Sequence, residues 1–292
     1  MKKIFLLIFI MFSFNTFSQK EFKKDSLWST RGKVSILLNQ TGFSDWVGGG
    51  TNNFSGTIKF DYEWEYEDRG WNWLTNVESA YGLAKYKNAP FARKIDDRIL
   101  IQSIIGKEFT KNLSFSAFFN FTSQIGNGYK YSKDSENNEI RDLTTKIFSP
   151  AYFQLGSGFL WKKDERLWLN YSPIASRLIL VSKKFTNDLS AGDTYFGVLP
   201  DKSSRYELGA NITFHSEGNI LENVKYKQDL KLFSNYLEAT SNIDLDYLVQ
   251  IDVDVNPILS TQLIVQLIYD DNAISRLQVR EVFGVGVQLK LD

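Results

Sequence analysis

The sequence predicts an all-β protein, a transmembrane antiparallel up-and-down β-barrel of about twelve strands with both termini periplasmic. Three observations support this prediction: strand-length segments that alternate apolar and polar residues, connections that alternate between short and long, and a closing segment with one apolar face. In such a barrel the apolar side chains face lipid and the alternate side chains face the lumen. An even number of strands is usual for single-chain outer-membrane barrels.

The C-terminal segment shows the alternation most plainly. Its odd positions carry large apolar side chains, Phe283, Val285, Val287, Leu289 and Leu291. The even positions between them are Gly, Gly, Gln and Lys. Because one face is apolar and the other is small or polar, we expect this segment to close the barrel against the first strand.

The other predicted strands show the same pattern and end at turn-forming residues such as Asp68-Arg69-Gly70. In chain order, the twelve predicted strands are 33–39, 54–66, 71–84, 99–109, 113–124, 151–161, 167–181, 205–215, 224–236, 243–255, 261–269 and 277–292. Pro173 interrupts the seventh strand. Proline has no N–H for the ladder, so we expect a β-bulge there and a change in which positions face inward.

The predicted connections alternate in length. Those after the first, third, fifth and seventh strands are long, and those after the even-numbered strands are short. Because outer-membrane barrels have short periplasmic turns and long outer loops, this order places both termini in the periplasm. The short turns are flanked by a predicted interfacial aromatic girdle, Trp64, Tyr66, Trp71, Trp73 and Trp161. Trp168 faces inward by alternation and is a weaker member.

The N-terminus has the features of an export signal. Lys2 and Lys3 precede an apolar run at residues 4–12, which is too short to span a bilayer as a helix. Small residues before Gln19 fit a cleavage site, with an uncleaved anchor as the alternative. The predicted layout is a signal peptide at 1–18, a periplasmic lead at 19–31 and the barrel at 32–292. Export and alternating strands together predict the outer membrane of a diderm bacterium.

Composition excludes several classes of site. The 34 basic and 34 acidic residues give no net charge, so nothing favours nucleic acid as a partner. The absence of cysteine rules out a disulfide framework, a thiolate metal site and a cysteine nucleophile. We predict no cofactor.

A glycine-rich segment follows the first strand. It contains Phe43, Trp46 and the triple glycine Gly48, Gly49 and Gly50. A phosphate-binding loop would continue into Lys-Ser/Thr and a helix, and neither follows. We therefore expect a mouth loop whose Trp and Phe pack into the end of the barrel.

Together with Asn39-Gln40 and Asn52-Asn53, the mouth loop resembles the N-terminal signature of an uncharacterised family of Bacteroidetes outer-membrane proteins, domain of unknown function 3078. The resemblance extends over nearly the whole chain after the signal peptide. It implies an outer-membrane barrel and no established activity.

The ninth and tenth strands carry opposite charges at positions expected to face inward, Lys225, Lys227 and Lys231 on one and Asp244, Asp246, Asp252 and Asp254 on the other. With the hairpin tip near residues 238–241, Lys227 is predicted to lie opposite Asp252, and Lys225 opposite Asp254. One interpretation is a salt-bridge ladder that satisfies a polar interior, and the other is an electrostatic filter for a small solute.

Other ionisable groups are weaker candidates. An acidic stripe on the second strand consists of Asp61, Glu63 and Glu65. His215 is the single histidine, and we expect it at the periplasmic rim, bonded to backbone or water. Asp270 and Asp271 form a carboxylate pair in a late loop, where acids are usually solvated. We assign no catalytic, cofactor-binding or metal-binding residue.

The sequence thus favours a narrow passive channel or a plugged envelope barrel. The alternatives are an accessory subunit that docks a periplasmic, secretion or assembly partner, and a lipid-active enzyme. Expected partners are outer-membrane lipid, the outer-membrane assembly machinery, and a small solute or a periplasmic protein. The competing architecture is a soluble β-sandwich, in which the apolar faces would meet in a shared core.

Overall fold

The structure is a computed structural model that describes residues 27–42, 51–238 and 240–291. Within these ranges the strands are β1 (Trp28–Thr41), β2 (Asn53–Asp68), β3 (Trp71–Tyr86), β4 (Arg93–Thr110), β5 (Leu113–Ser123), β6 (Gly128–Lys133), β7 (Glu139–Thr145), β8 (Ala151–Asp164), β9 (Leu167–Leu180), β10 (Ser204–Leu221), β11 (Val224–Asn235), β12 (Ile243–Asp254), β13 (Leu259–Asp270) and β14 (Ile274–Leu291). Outside the described residues lie the predicted signal peptide and the predicted mouth-loop residues Phe43, Trp46, Gly48, Gly49 and Gly50.

Twelve of the described strands form one closed antiparallel barrel, and β6 and β7 form a separate hairpin. The ring order is β1, β14, β13, β12, β11, β10, β9, β8, β5, β4, β3 and β2. β14 closes the ring by pairing with β1, from Gly32 opposite Leu291 to Leu38 opposite Val285. The predicted fold class and strand number are confirmed, and a β-sandwich is excluded because the sheet closes on itself.

The outer surface of the barrel is apolar. Ile58, Phe115 and Leu155 expose 59%, 57% and 60% of their surface, and they lie on three different strands. Closure pairs the backbone groups of every barrel strand with neighbours, which is what a segment in lipid requires. An apolar belt around a closed barrel is suited to lipid and not to water. The protein is therefore an integral outer-membrane protein.

The two ends of the barrel differ. The short-turn end carries connections of two to four residues, at 69–70, 111–112, 165–166, 222–223 and 255–258. The long-loop end carries the longer connections 42–52, 87–92, 124–150 and 181–203, together with 236–242 and 271–273. β1 begins and β14 ends at the short-turn end. None of the described helical segments has the length and apolar character of a membrane span.

β1 begins at Trp28, earlier than predicted. Trp28 pairs with Tyr66 and Arg31 pairs with Glu63, so the end of β2 is covered by β1. The predicted boundary between lead and barrel at residue 32 is therefore wrong. The earlier start is explained by packing, because the Trp28 ring lies 4.9 Å from that of Tyr66 and 5.7 Å from that of Trp73.

Two further expectations about elements are wrong. β10 continues to Leu221 instead of turning at Ser216, because this stretch pairs with β11, with Ser216 opposite Gln228. The connection 124–150 was expected to be an irregular polar loop, but it contains the β6–β7 hairpin. Alternation over six or seven residues is too short to be separated from a polar loop by pattern alone.

The bulge predicted at Pro173 is present. Ala210 of β10 faces two residues of β9, because the register passes from Gly209–Ala175 to Asn211–Ser172. Before the bulge the buried positions of β9 are even, as at Asn170, and after it they are odd, as at Arg177. One added residue thus reverses the inward face, and the same chain can line the lumen on both sides of the bulge.

The barrel lumen as candidate functional site

The lumen has an apolar side. A buried cluster fills it with inward side chains of β4, β5, β8, β9 and β11, namely Ile104, Phe118, Leu160, Trp168, Ala175 and Phe233. The inward face, which we expect to be small or polar, therefore also carries large apolar side chains. Phe118 is an example, because it is an apolar residue at an even position of β5, and its neighbours at even positions, Ser116 and Asn120, also face inward.

The opposite side of the lumen is charged and crossed by direct contacts. Nζ of Lys227 lies 2.6 Å from Oε1 of Glu78. These residues are on β11 and β3, which are six places apart on the twelve-strand ring and so face each other. Other contacts across the lumen join Arg280 to Asp96 at 2.5 Å, Lys59 to Gln262 at 2.8 Å, and Lys33 to Asp252 at 3.1 Å. Together with the Lys227–Glu78 pair they form the mid-lumen network.

The acidic stripe of β2 is largely paired. Glu63 accepts from Arg31 at 2.7 Å, and Glu65 pairs with Lys162. Arg31 also bonds Glu217 of β10 at 2.7 Å and so connects distant strands. Asp61 differs, because its Oδ2 atom is buried and has no hydrogen-bond partner in the part of the chain that the structure describes.

The predicted lumen ladder has a different register. Lys225 lies opposite Asp252 and Lys227 opposite Gln250, two residues away from the predicted pairing. The turn begins earlier than expected, because the last pair of the hairpin is Ser234 with Ile243. A turn centre displaced by one residue moves every cross-strand pair by two.

The side chains of this ladder find partners beyond their register. Lys225 bonds Asp254 diagonally, with Nζ and Oδ2 2.9 Å apart. Lys231 is in register with Asp246, which accepts from Gln266 at 2.6 Å. The remaining members form ion pairs with residues of other strands. Asp244 pairs with Arg177 of β9 at 2.5 Å, Asp252 pairs with Lys33 of β1, and Lys227 pairs with Glu78 of β3. The ladder is therefore part of a wider network and not a single row of pairs.

His215 lies inside the barrel and not at the rim. Its side chain is 8% exposed and its Nδ1 atom is 2.7 Å from Oδ1 of Asp229. The ring stacks on that of Trp168, with centroids 5.2 Å apart. The predicted bond to backbone or water is wrong, because β10 runs six residues beyond His215 and carries it into the lumen. Trp168 faces inward, as alternation indicates.

The aromatic girdle lies outside the barrel, near the short-turn end. Trp64, Trp71, Trp73 and Trp161 are each exposed to between 36% and 44%, and Tyr66 is partly covered by Trp28. Trp28 extends the girdle. It was missed because the first strand was expected to begin later. The closing-strand residues Phe283, Val285, Val287 and Leu289 are exposed on the same outer surface, and Gly284, Gly286 and Gln288 between them are buried.

The free space in the lumen is uneven. A cavity of about 300 Å³ opens towards the short turns, and we call it the short-turn cavity. Its lining is mostly charged and includes Arg31, Asp61 and Lys290, and the cavity extends as far as Lys227. Deeper in, cavities of about 30 and 10 Å³ lie beside Glu78 and Arg98. One water needs roughly 10–15 Å³, so these inner spaces hold single waters or a small number of them.

At the long-loop end the connection 181–203 folds against inward side chains. Val198 is fully buried with Ile179 and Val181, and Tyr152, Tyr195 and Phe196 pack around them. The Tyr195 hydroxyl donates to the carbonyl of Thr144, the residue before the end of β7. Burial raises the pKa of Tyr195 to about 12. This loop, which we call the cap loop, covers part of the barrel mouth.

Carboxylates also gather at this end. Oxygens of Asp244, Asp270 and Asp271 lie within 4.8 Å of one another. Asp244 already pairs with Arg177, and Asp271 accepts from Asn242 at 2.6 Å. The predicted Asp270–Asp271 pair is thus close to a third acid, and neighbouring donors offset part of its charge.

Comparison with known proteins gives limited matches. The family model described as "Protein of unknown function (DUF3078)" matches residues 38–129, a narrower range than the resemblance inferred from the sequence. No curated protein matches the chain. The translocator domain of the autotransporter NalP from Neisseria meningitidis is 8% identical, with 98% of this chain and 93% of that chain covered and a TM-score of 0.41. An outer membrane channel from Pseudomonas putida F1 is 10% identical, with 92% and 99% covered and a TM-score of 0.37. At such scores these likenesses carry no information about what this barrel does.

Proposed function

We propose that this protein is a plugged outer-membrane barrel, an envelope component whose lumen is closed to solutes larger than water. The observation that carries the proposal is the contact between Lys227 and Glu78, because it joins opposite walls of the barrel. Charged side chains that bond across a lumen leave no room for a hydrated solute between them.

Two features on either side of this contact support the proposal. The apolar cluster around Phe118 and Trp168 fills another part of the lumen. The cap loop covers inward side chains at the long-loop end, with Val198 fully buried. A twelve-stranded barrel is wider than an eight-stranded barrel filled by side chains but narrower than a sixteen-stranded porin, and here long charged side chains reach across it.

A narrow channel is the second candidate. The short-turn cavity favours it, because this space extends from one end of the barrel to Lys227. The groups beyond it are ion pairs, which can exchange their partners for those of a passing solute. In this candidate the mid-lumen network is a gate.

Single-channel recording in planar bilayers separates the two candidates. We expect the unaltered protein to be silent and E78A/K227A, which shortens both cross-lumen side chains, to give small steps. Arg69→Ala is the matched control, because the Arg69 side chain is 90% exposed in a short turn. Steady ohmic steps from the unaltered protein would contradict the plugged barrel and establish the channel.

We also propose how the barrel is oriented in the outer membrane and how it is exported. The lengths of the connections support periplasmic termini and a long-loop end facing outside. The basic and apolar N-terminus supports a signal peptide at residues 1–18, and the resemblance of the mouth-loop segment supports an origin in Bacteroidetes. Protease added to whole cells is expected to cut in the long loops and to spare the short turns.

The proposal assigns no catalytic role. His215 is enclosed in the lumen and bonded to Asp229, away from the lipid-facing surface. The partners proposed are outer-membrane lipid and the assembly machinery that inserts such barrels.

A further inference from the structure

Four charged side chains form a row on the inward face of neighbouring strands. Lys290 of β14 is in register with Lys33 of β1, Lys33 with Asp61 of β2, and Asp61 with Glu78 of β3. Neighbouring strands lie about 4.8 Å apart. Lys290 and Asp61 are two strands apart, so their backbones are separated by roughly 10 Å.

The four members of this charged row are not equally satisfied. Lys33 bonds Asp252 at 3.1 Å and Glu78 bonds Lys227 at 2.6 Å, both across the lumen. Asp61 has a buried Oδ2 atom without a hydrogen-bond partner among the described residues. The Lys290 side chain makes no hydrogen bond or ion pair within the same residues, and it interacts electrostatically with Asp254. Buried polar atoms almost always have partners, so the Oδ2 atom of Asp61 calls for a donor that the described residues do not supply.

Asp61 and Lys290 both line the short-turn cavity. Its volume of about 300 Å³ is at the lower limit of small-molecule sites. Lys290 is exposed near the end of β14, so the cavity is reached from the short-turn end without passing the Lys227–Glu78 contact.

We propose that the short-turn cavity binds a small zwitterion of the amino acid or dipeptide class, with its ammonium group at Asp61 and its carboxylate at Lys290. A simple anion would pair with Lys290 and leave the Oδ2 atom of Asp61 unsatisfied. A simple cation would pair with Asp61 and leave Lys290 unused. A molecule with a positive and a negative charge at its two ends can pair with both groups.

This inference goes beyond the plugged barrel, because a ligand can enter from the short-turn end of a closed lumen. The test is isothermal titration calorimetry on the full-length protein in detergent, with diglycine, N-acetyl-diglycine and diglycinamide as probes. We expect saturable binding of diglycine and at least about tenfold weaker binding of each blocked form, since each lacks one charge-assisted hydrogen bond.

Variants connect the binding to the two residues. Asp61→Asn and Lys290→Gln are each expected to weaken diglycine binding by about tenfold or more. Lys163→Gln, which removes an exposed lysine at the short-turn end outside the cavity, is the matched control and should bind normally. If Asp61→Asn does not fold, Lys290→Gln at the exposed rim still decides the question.

The proposal is overturned if diglycine does not saturate, if the blocked forms bind as well as diglycine, or if Lys290→Gln binds like the unaltered protein. Channel conductance tests the plugged barrel independently of diglycine binding. A silent barrel that does not bind diglycine refutes only the zwitterion site, and a conducting barrel that binds it refutes only the plug.

Discussion

Nζ of Lys227 lies 2.6 Å from Oε1 of Glu78, although these residues stand on strands that face each other across the barrel. Each has a further neighbour, since Nζ of Lys227 is 3.7 Å from Asp229 and Glu78 accepts from Asn76 at 2.9 Å. A buried pair adds little compared with an apolar pair of the same shape, but removing one partner leaves an uncompensated charge. The pair therefore fixes how the opposite walls meet.

The first prediction concerns this pair. Lys227→Met should lower the free energy of unfolding by about 3 kcal/mol, because Glu78 is left buried without its cation. The double variant with Glu78→Gln should lose less than the sum of the single losses. Urea unfolding in lipid vesicles gives the three values. Additive losses would mean that the two side chains are not coupled.

The cross-lumen partners could not be predicted from the sequence, whereas the lipid-facing side could. The side of the barrel wall on which a side chain lies follows from alternation along its own strand, which is a local property. The bulge at Pro173 was also predictable locally, because proline has no N–H for the ladder. Lys227 and Glu78 are 149 positions apart, and their meeting depends on the stagger of the whole ring. The hairpin register failed for a local reason, because a displacement of one residue at the turn moved Lys225 from Asp254 to Asp252.

The second prediction tests the lipid-facing surface. Leu155 is 60% exposed on β8, six residues from the girdle residue Trp161, and its neighbour on β5 is Phe119. Leu155→Arg should make folding into vesicles less favourable by about 2–4 kcal/mol, the usual cost of a charge near the bilayer centre. Ser132→Arg, at an exposed position of the β6–β7 hairpin, is the control and should fold normally. Equal behaviour of the two variants would argue that Leu155 does not meet lipid.

The third prediction separates a structural from a catalytic histidine. His215→Phe keeps a ring against Trp168 and removes the bond to Asp229, so it should lower stability by about 1–3 kcal/mol. His215→Ala removes both contacts and should cost more. Thermal unfolding measures the two losses. Lipid turnover that disappears in both variants while they remain folded would contradict the structural role and favour the lipid-active enzyme.

The fourth prediction uses the cap loop. Burial raises the pKa of Tyr195 to about 12, above the value of about 10 for a free tyrosine. An undocked loop therefore releases this proton first, so the stabilisation of the docked loop is complete below about pH 10 and is lost as the pH rises towards 12. The difference in tyrosinate absorbance between the unaltered protein and Tyr195→Phe should have its midpoint near pH 12.

Tyr195→Phe also removes the hydrogen bond to the Thr144 carbonyl, so proteolysis of residues 181–203 should be faster at neutral pH. Tyr206→Phe is the matched control, because Tyr206 is 58% exposed on β10 and its hydroxyl makes no hydrogen bond within the described residues. A midpoint near pH 10 for Tyr195, together with unchanged proteolysis, would mean that the loop does not hold this ring against the barrel mouth.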